Sequence, residues 1–190
     1  VTAKYQAKAK TTQSNAKYAA MVESVDDSVG RIMATLDKHG LTENTLVIFT
    51  SDNGGLDQKN NPTDNAPLRS RNGYPYEGGI RVPTIVRWPK KIAAGSKNAT
   101  PLISNDFYPT LLELTGTPAE PQQHLDGESF ANVLLGKSTT VDRDAIYWHY
   151  PHSRQEAAVR EGRNKLLHRF EQDRVELYDL QTDIGERTDL

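Results

Sequence analysis

The sequence has no cysteine. Disulfides, thiolate–metal centres and a cysteine nucleophile are therefore excluded within these 190 residues. It also has no run of about 18 apolar residues, the length a membrane-crossing helix needs. Residues 1–10 contain no apolar stretch of the signal-peptide kind. An excess of one charge sign is missing too: 23 basic residues face 25 acidic ones, for a formal net charge of −2. That balance gives no electrostatic reason to expect nucleic acid or an anionic membrane as a partner. Hydrophobic residues make up 36%, below the usual ~45–50% that also counts glycine. Some surface is then set against a partner or a further segment, or is long polar loop, and composition leaves these open. The length suits one domain, and a chain of this size buries roughly 70% of its unfolded surface.

Periodicity is clearest early in the chain. Residues 1–15 are polar and read as a helix end or a loose arm. From Lys17 to His39, Tyr18, Val22, Val25, Val29, Ile32 and Leu36 recur at steps of four and three, which predicts a helix with one apolar face packed on a sheet. Gly40 is its natural stop. Thr45 to Thr50 is short, apolar and β-branched, the pattern of a strand covered on both faces. Helix followed by buried strand predicts an α/β layer with parallel strands. Residues 56–75 form a long polar loop, and a second apolar run lies within Ile80 to Trp88, with Pro83 at its start or on an edge. Ser104 to Leu114 reads as a helix capped by Ser104, with Pro109 near its first turn and Gly116 beyond its end. Ser129 to Leu135 reads as a short helix stopped by Gly136. The period then changes to two, predicting strands at Ala145 to Tyr150, Ala157 to Arg160, Lys165 to Arg169 and Val175 to Tyr178, with a hairpin turn at Glu161-Gly162-Arg163.

Three groups of residues have chemistry to offer. Asp52 and Asn53 close the first strand, where ligands of α/β sheets bind. A carboxylate beside an amide oxygen suits calcium or magnesium better than a softer metal. A plain Asx-Gly turn through Gly54 and Gly55 explains the same residues. Arg69, Arg71 and Arg81 offer guanidinium forks for an anion, or a solvated loop in which Arg81 pairs with Glu77. Tyr147 to His152 is the densest aromatic and imidazole cluster. Alternation there puts Tyr147 and His149 on one side, Trp148, Tyr150 and His152 on the other. His149 and His152 are candidates for the substrate side, against ordinary edge packing. His39, His124 and His168 read as surface or edge residues without a visible partner.

Four stretches, in order along nearly the whole chain, resemble the sulfatase family of the alkaline phosphatase superfamily. They are Tyr18 to Gly54 with its Ser51-Asp52-Asn53-Gly54 end; Tyr76-Glu77-Gly78-Gly79-Ile80-Arg81-Val82-Pro83 followed by Trp88-Pro89; Asp106 to Gly116 with Leu125-Asp126-Gly127-Glu128-Ser129; and Val159-Arg160, Lys165-Leu166, Leu177 to Leu180 and Gly185-Glu186. The resemblance implies the C-terminal part of a sulfatase (alkaline-phosphatase-like) α/β fold over residues 1–136, with a small antiparallel-sheet subdomain over 137–190. It implies hydrolysis of sulfate monoesters, sulfated small molecules or glycans, with a formylglycine nucleophile and a calcium ion. Asp52 and Asn53 would be calcium ligands. Arg71 and Asn72 would lie near the sulfate, Asn72 standing where the family usually carries a lysine. The nucleophile-bearing segment would lie upstream, so turnover would require that N-terminal half. A periplasmic or secreted location is implied in the same way. Two alternatives are a phosphate- or phosphonate-ester hydrolase of the same superfamily, which Asn53 argues against because such relatives tend to have histidine there, and a non-catalytic binding module, for which Asn72 argues.

Overall fold

The computed structural model describes residues 1–8, 15–57, 62–120, 122, 126–152 and 154–190. Helix α1 (Thr2–Gln6) packs on α2 (Ala16–Lys38). Asn15 caps α2, its side-chain oxygen accepting from the backbone N–H groups of Lys17 (3.1 Å) and Tyr18 (3.0 Å). Gly40 follows its end at φ +66°, a left-handed turn that glycine adopts without a Cβ clash.

The apolar face of α2 is not packed on a sheet. Met21, Val22, Val25 and Ile32 are each more than half exposed, while Tyr18, Val29 and Leu36 are half-buried. The expected doubly covered parallel strand also differs. Strand β1 (Val47–Thr50) pairs antiparallel with β2 (Thr84–Arg87) in a two-stranded sheet, Ile48 opposite Val86. Phe49 and Ile85, directly opposite one another, stay exposed on one face. Two strands offer too little area to cover a six-turn helix, so periodicity marks a face suited to burial that the described residues leave largely open.

Between the two strands lies a single turn of helix, α3 (Glu77–Ile80), and Pro83 falls just before β2, where its missing N–H costs no ladder bond. A 3₁₀ turn at Ser104–Asp106 leads into α4 (Phe107–Thr115). Ser104 makes no capping bond. Instead Asp106 accepts from the Ile103 N–H at 2.8 Å. Buried Asp106 also accepts from the Glu128 N–H (2.9 Å) and from Arg143 Nη1 (3.0 Å) and Nη2. One carboxylate thereby ties α4, the Asp126–Ser129 segment and the approach to the small sheet. Pro109 lies in the first turn of α4, and Gly116 and Gly136 close α4 and α5 (Ala131–Leu134) with positive φ.

The last third is a four-stranded antiparallel meander, β3 (Ala145–Tyr150), β4 (Glu156–Glu161), β5 (Asn164–Arg169) and β6 (Arg174–Asp179), in chain order. Gly162 turns the β4–β5 hairpin at φ +54°. Alternation sends Ile146, Ala158, Leu167 and Tyr178 inward, and Tyr147, His149 and Val175 outward. The core joins Ala158, Leu167, Tyr178 and Leu180 to Tyr76, with Tyr74, Trp148 and Ile184 packed against it. The small sheet is thus built directly onto the segment that contains α3. No helix among the described residues is long and apolar enough to cross a membrane.

Candidate functional site

Three backbone segments meet at the end of β1, and glycine makes the meeting possible. The Gly54 N–H donates to the Gly79 carbonyl at 2.9 Å, and the Gly78 N–H to the Arg69 carbonyl at 2.7 Å. A Cβ on Gly54 would lie 1.9 Å from the Gly78 oxygen. One on Gly79 would lie 2.2 Å from the Tyr74 oxygen and 2.5 Å from the Arg71 oxygen. Gly78-Gly79 is therefore wedged between the 52–55 turn and the 69–74 loop, closer than any side chain permits.

On this frame Asp52, Asn53 and Asn72 come together. Asn53 Nδ2 donates to Asp52 Oδ2 at 2.5 Å, and Asn72 Nδ2 donates to Asn53 Oδ1. The Asn72 N–H donates to the Gly55 carbonyl at 3.1 Å, and Ser51 Oγ donates to the Asn53 carbonyl at 3.0 Å. Asp52 is exposed and Asn53 half-buried. The pair presents a carboxylate and an amide oxygen, a hard donor set of the calcium or magnesium type. Two oxygens fall short of the roughly six to eight that calcium takes. Among the described residues no group of three or more His, Asp or Glu side chains is placed to hold a metal.

Beneath the frame lies a buried ionic network that sequence reasoning missed. Lys165 Nζ lies 3.0 Å from Glu77 Oε1 and 2.8 Å from Glu186 Oε1, all three side chains being buried. Glu186 Oε2 also accepts from the Glu77 backbone N–H at 2.7 Å. Burial pushes the Glu186 carboxyl above its ordinary range, with Lys165 pulling the other way. Alongside, the hydroxyls of Tyr76 (2.6 Å) and Tyr178 (2.7 Å) both donate to Glu176 Oε2. Burial raises the Glu176 carboxyl, but these two donors with Arg169 and Arg69 outweigh it and hold it below the usual carboxylate value. Burial and the bond to Glu176 push the Tyr178 phenol up to about 12 and raise Tyr76 further.

The three loop arginines have separate fates. Arg69 turns inward, stacked 4.0 Å over Tyr76 and donating to Tyr178 Oη (2.8 Å) and the Glu186 carbonyl (2.7 Å). Arg81 pairs with Glu77 at 3.7 Å, the bland reading of its loop. Arg71 lies over the Tyr74 ring at 5.3 Å. His149 and His152 are exposed on β3 and in the turn after it. The His149 ring meets Phe170 edge-on at 5.9 Å. Among the described residues neither histidine bonds to the Asp52–Asn53–Asn72 cluster. The turn carrying His152 nevertheless reaches the loop through Arg154, whose Nε donates to the Gly73 carbonyl at 3.3 Å. An arginine in a polar turn gives no sequence signal of such a contact. His168, expected to lack a partner, lies 3.4 Å from Asp173 and edge-on to Phe170. His124 and Leu125 lie outside the described residues.

A sulfatase family model matches residues 1–117, and one described as N-sulphoglucosamine sulphohydrolase, C-terminal, matches residues 72–190. A sulfatase of Formosa agariphila is 40% identical over 99% of this chain and 38% of its own length. An N-acetylglucosamine-6-O-sulfatase of Bacteroides thetaiotaomicron is 32% identical over 91% of this chain and 31% of its own. The crystal structure of Ps i-CgsB in complex with k-i-k-neocarrahexaose superimposes with a TM-score of 0.83 and 32% identity, covering all of this chain and 41% of that one. The chain thus spans about two fifths or less of the length of the relatives it matches. With both family models ordered along it and relatives 40% and 32% identical over nearly all of it, the chain belongs to the sulfatase family, and its fold is the C-terminal part of the alkaline-phosphatase-like sulfatase fold with a small antiparallel sheet.

Proposed function

We propose that this chain is the calcium-side portion of a sulfatase that hydrolyses a sulfate monoester on a carbohydrate. The observation that carries the reading is the bonded series Asn72–Asn53–Asp52 at the end of β1. In this reading Asp52 and Asn53 hold part of the calcium shell. A bound calcium ion supplies positive charge against the charge that develops on sulfate oxygens. Asn72 orients the Asn53 amide through one N–H, and its second N–H is available to a sulfate oxygen. Arg71 contributes the cationic charge that Asn72 lacks. His149 and His152, exposed on β3 and in the turn after it, face the sugar.

The formylglycine nucleophile and the remaining metal ligands come, in this reading, from sequence outside these residues. The uncovered apolar faces of α2 and of β1–β2 support a chain that packs on further protein. A carbohydrate substrate is supported by the names of the similar proteins, an N-acetylglucosamine-6-O-sulfatase and a structure bound to k-i-k-neocarrahexaose. The reading includes a periplasmic or secreted location, which cell fractionation checks.

The test uses the protein at its native length with N-acetylglucosamine 6-sulfate and its 6-phosphate counterpart, reading released anion by ion chromatography. Calcium-dependent sulfate release is expected. Release of phosphate alone would favour an ester hydrolase of the phosphate branch, and binding without release would favour a non-catalytic module.

A further inference from the structure

Tyr74 carries two guanidinium groups. Arg154 lies 3.9 Å from its ring centroid and Arg71 lies 5.3 Å from it. Each contact is of the cation–π kind, but two like charges gathered at one ring repel. Among the described residues neither Arg71 nor Arg154 forms an ion pair. Glu156, whose carboxylate feels Arg154, is buried and already 3.3 Å from Arg169.

The ring itself is fixed. Tyr74 packs against the core of the small sheet, and its carbonyl lies over Gly79 with no room for a Cβ between them. Arg154 is further held by its bond to the Gly73 carbonyl. Gly73 adjoins Asn72, whose amide reaches Asn53. Two cations are therefore preorganised one residue away from the Asp52–Asn53–Asn72 cluster, and one of them comes from the small sheet.

We propose that Arg154, held on Tyr74 beside Arg71, forms a subsite for a second anionic group of the substrate, a sulfate or carboxylate carried by the sugar beside the ester that is cleaved, while Arg71 faces the ester itself. The subsite rests on the sulfatase reading for its substrate class but not for its binding. A guanidinium fork donates to two oxygens of either anion; Arg154 spends Nε on the Gly73 carbonyl, and its terminal Nη groups carry the subsite. A glycan with one anionic group fills the ester position alone, and one with two fills both.

Thermal-shift titration of the native-length protein tests this with three probes: N-acetylglucosamine 6-sulfate, glucosamine 2-N,6-O-disulfate, and a 6-sulfated disaccharide bearing a uronate. The doubly anionic sugars should bind roughly tenfold more tightly than the monosulfated one, as expected for one added charge-assisted contact. In Arg154→Gln that preference should fall to near one, and Arg154→Lys should restore part of it. Preference confined to the disulfate identifies a second sulfate as the ligand, and preference confined to the uronate identifies a carboxylate. Equal weakening of all three sugars in Arg154→Gln would show a merely structural role and overturn the proposal, as would no preference in the unaltered protein. A preference that is lost in Arg154→Gln while no sulfate is released would keep the subsite and sink the sulfatase reading instead. Sulfate release without any preference would do the reverse.

Discussion

Asn72 and Asn53, 19 residues apart in sequence, are joined side chain to side chain at the end of β1. Through this bond Asn72 fixes which way the Asn53 amide oxygen points. Residues that orient metal ligands typically change affinity by about 10–100-fold when removed.

Asn72→Ala should accordingly weaken calcium binding by about tenfold in the native-length protein, as read by calorimetric titration. Asn72→Lys should lose the Asn53 contact but add a cation, so sulfate affinity should rise while calcium affinity falls. A calcium affinity unchanged in both variants would remove Asn72 from the site.

Gly54→Ala tests the close packing of the frame. Its Cβ would fall 1.9 Å from the Gly78 oxygen, a backbone atom with little freedom to yield. Overpacking of this kind costs about 1–3 kcal/mol, and a denaturant melt should show at least that loss. Gly95→Ala is not an equivalent control because its φ is +72°. Gly30→Ala is one, since Gly30 is helical with open space around it, and it should be neutral or stabilising.

Lys165→Met should be among the most damaging substitutions outside the candidate site. It strands the buried carboxylates of Glu77 and Glu186 without their shared cation. Breaking a buried pair by removing one partner costs about 3–5 kcal/mol. Adding Glu186→Gln should recover part of the loss, because one uncompensated charge is then removed. A Lys165→Met protein as stable as the original in urea would contradict the network's importance.

The tyrosine–glutamate cluster sets a pH dependence with a defined sign. The Glu176 carboxyl is held below its ordinary value of 4.5, so its contribution is present above that pH and is lost as pH falls through the folded value. Tyr178 is raised from 10.0 to about 12, so its contribution is complete below pH 10 and is lost as pH rises toward 12. Tyr178→Phe should move the acid midpoint up, because Glu176 loses a donor, and should make the alkaline limb shallower, because one titrating group is gone. Circular dichroism against pH checks both limbs.

The small antiparallel sheet is legible in the sequence because alternation at Ala145 to Tyr178 records which residues face inward, and a meander has short connections that leave few pairings. All four strands fall where the pattern puts them, within one residue at most ends. The direction of pairing at β1 is not legible. A run of apolar β-branched residues states that a strand is to be buried, not which way its neighbour runs, and β2 pairs antiparallel. In α2 the stripe is plain, but the described residues leave most of it uncovered. At the site, Asp52 and Asn53 are visible from their place after a strand. The Glu77–Lys165–Glu186 network is not, since Lys165 and Glu186 lie 88 and 109 positions from Glu77 and each resembles a surface charge on its own. Arg154 is hidden for the same reason.

The most direct measurement is a calorimetric calcium titration of the chelator-treated native-length protein, beside an Asp52→Ala variant whose melt shows it is folded, with sulfate release from N-acetylglucosamine 6-sulfate followed in both. Saturable calcium binding together with sulfate release in the original protein, and loss of both in Asp52→Ala, is the predicted result. Equal calcium binding and equal sulfate release in the two proteins would contradict the placement of the metal and its catalytic role at the end of β1.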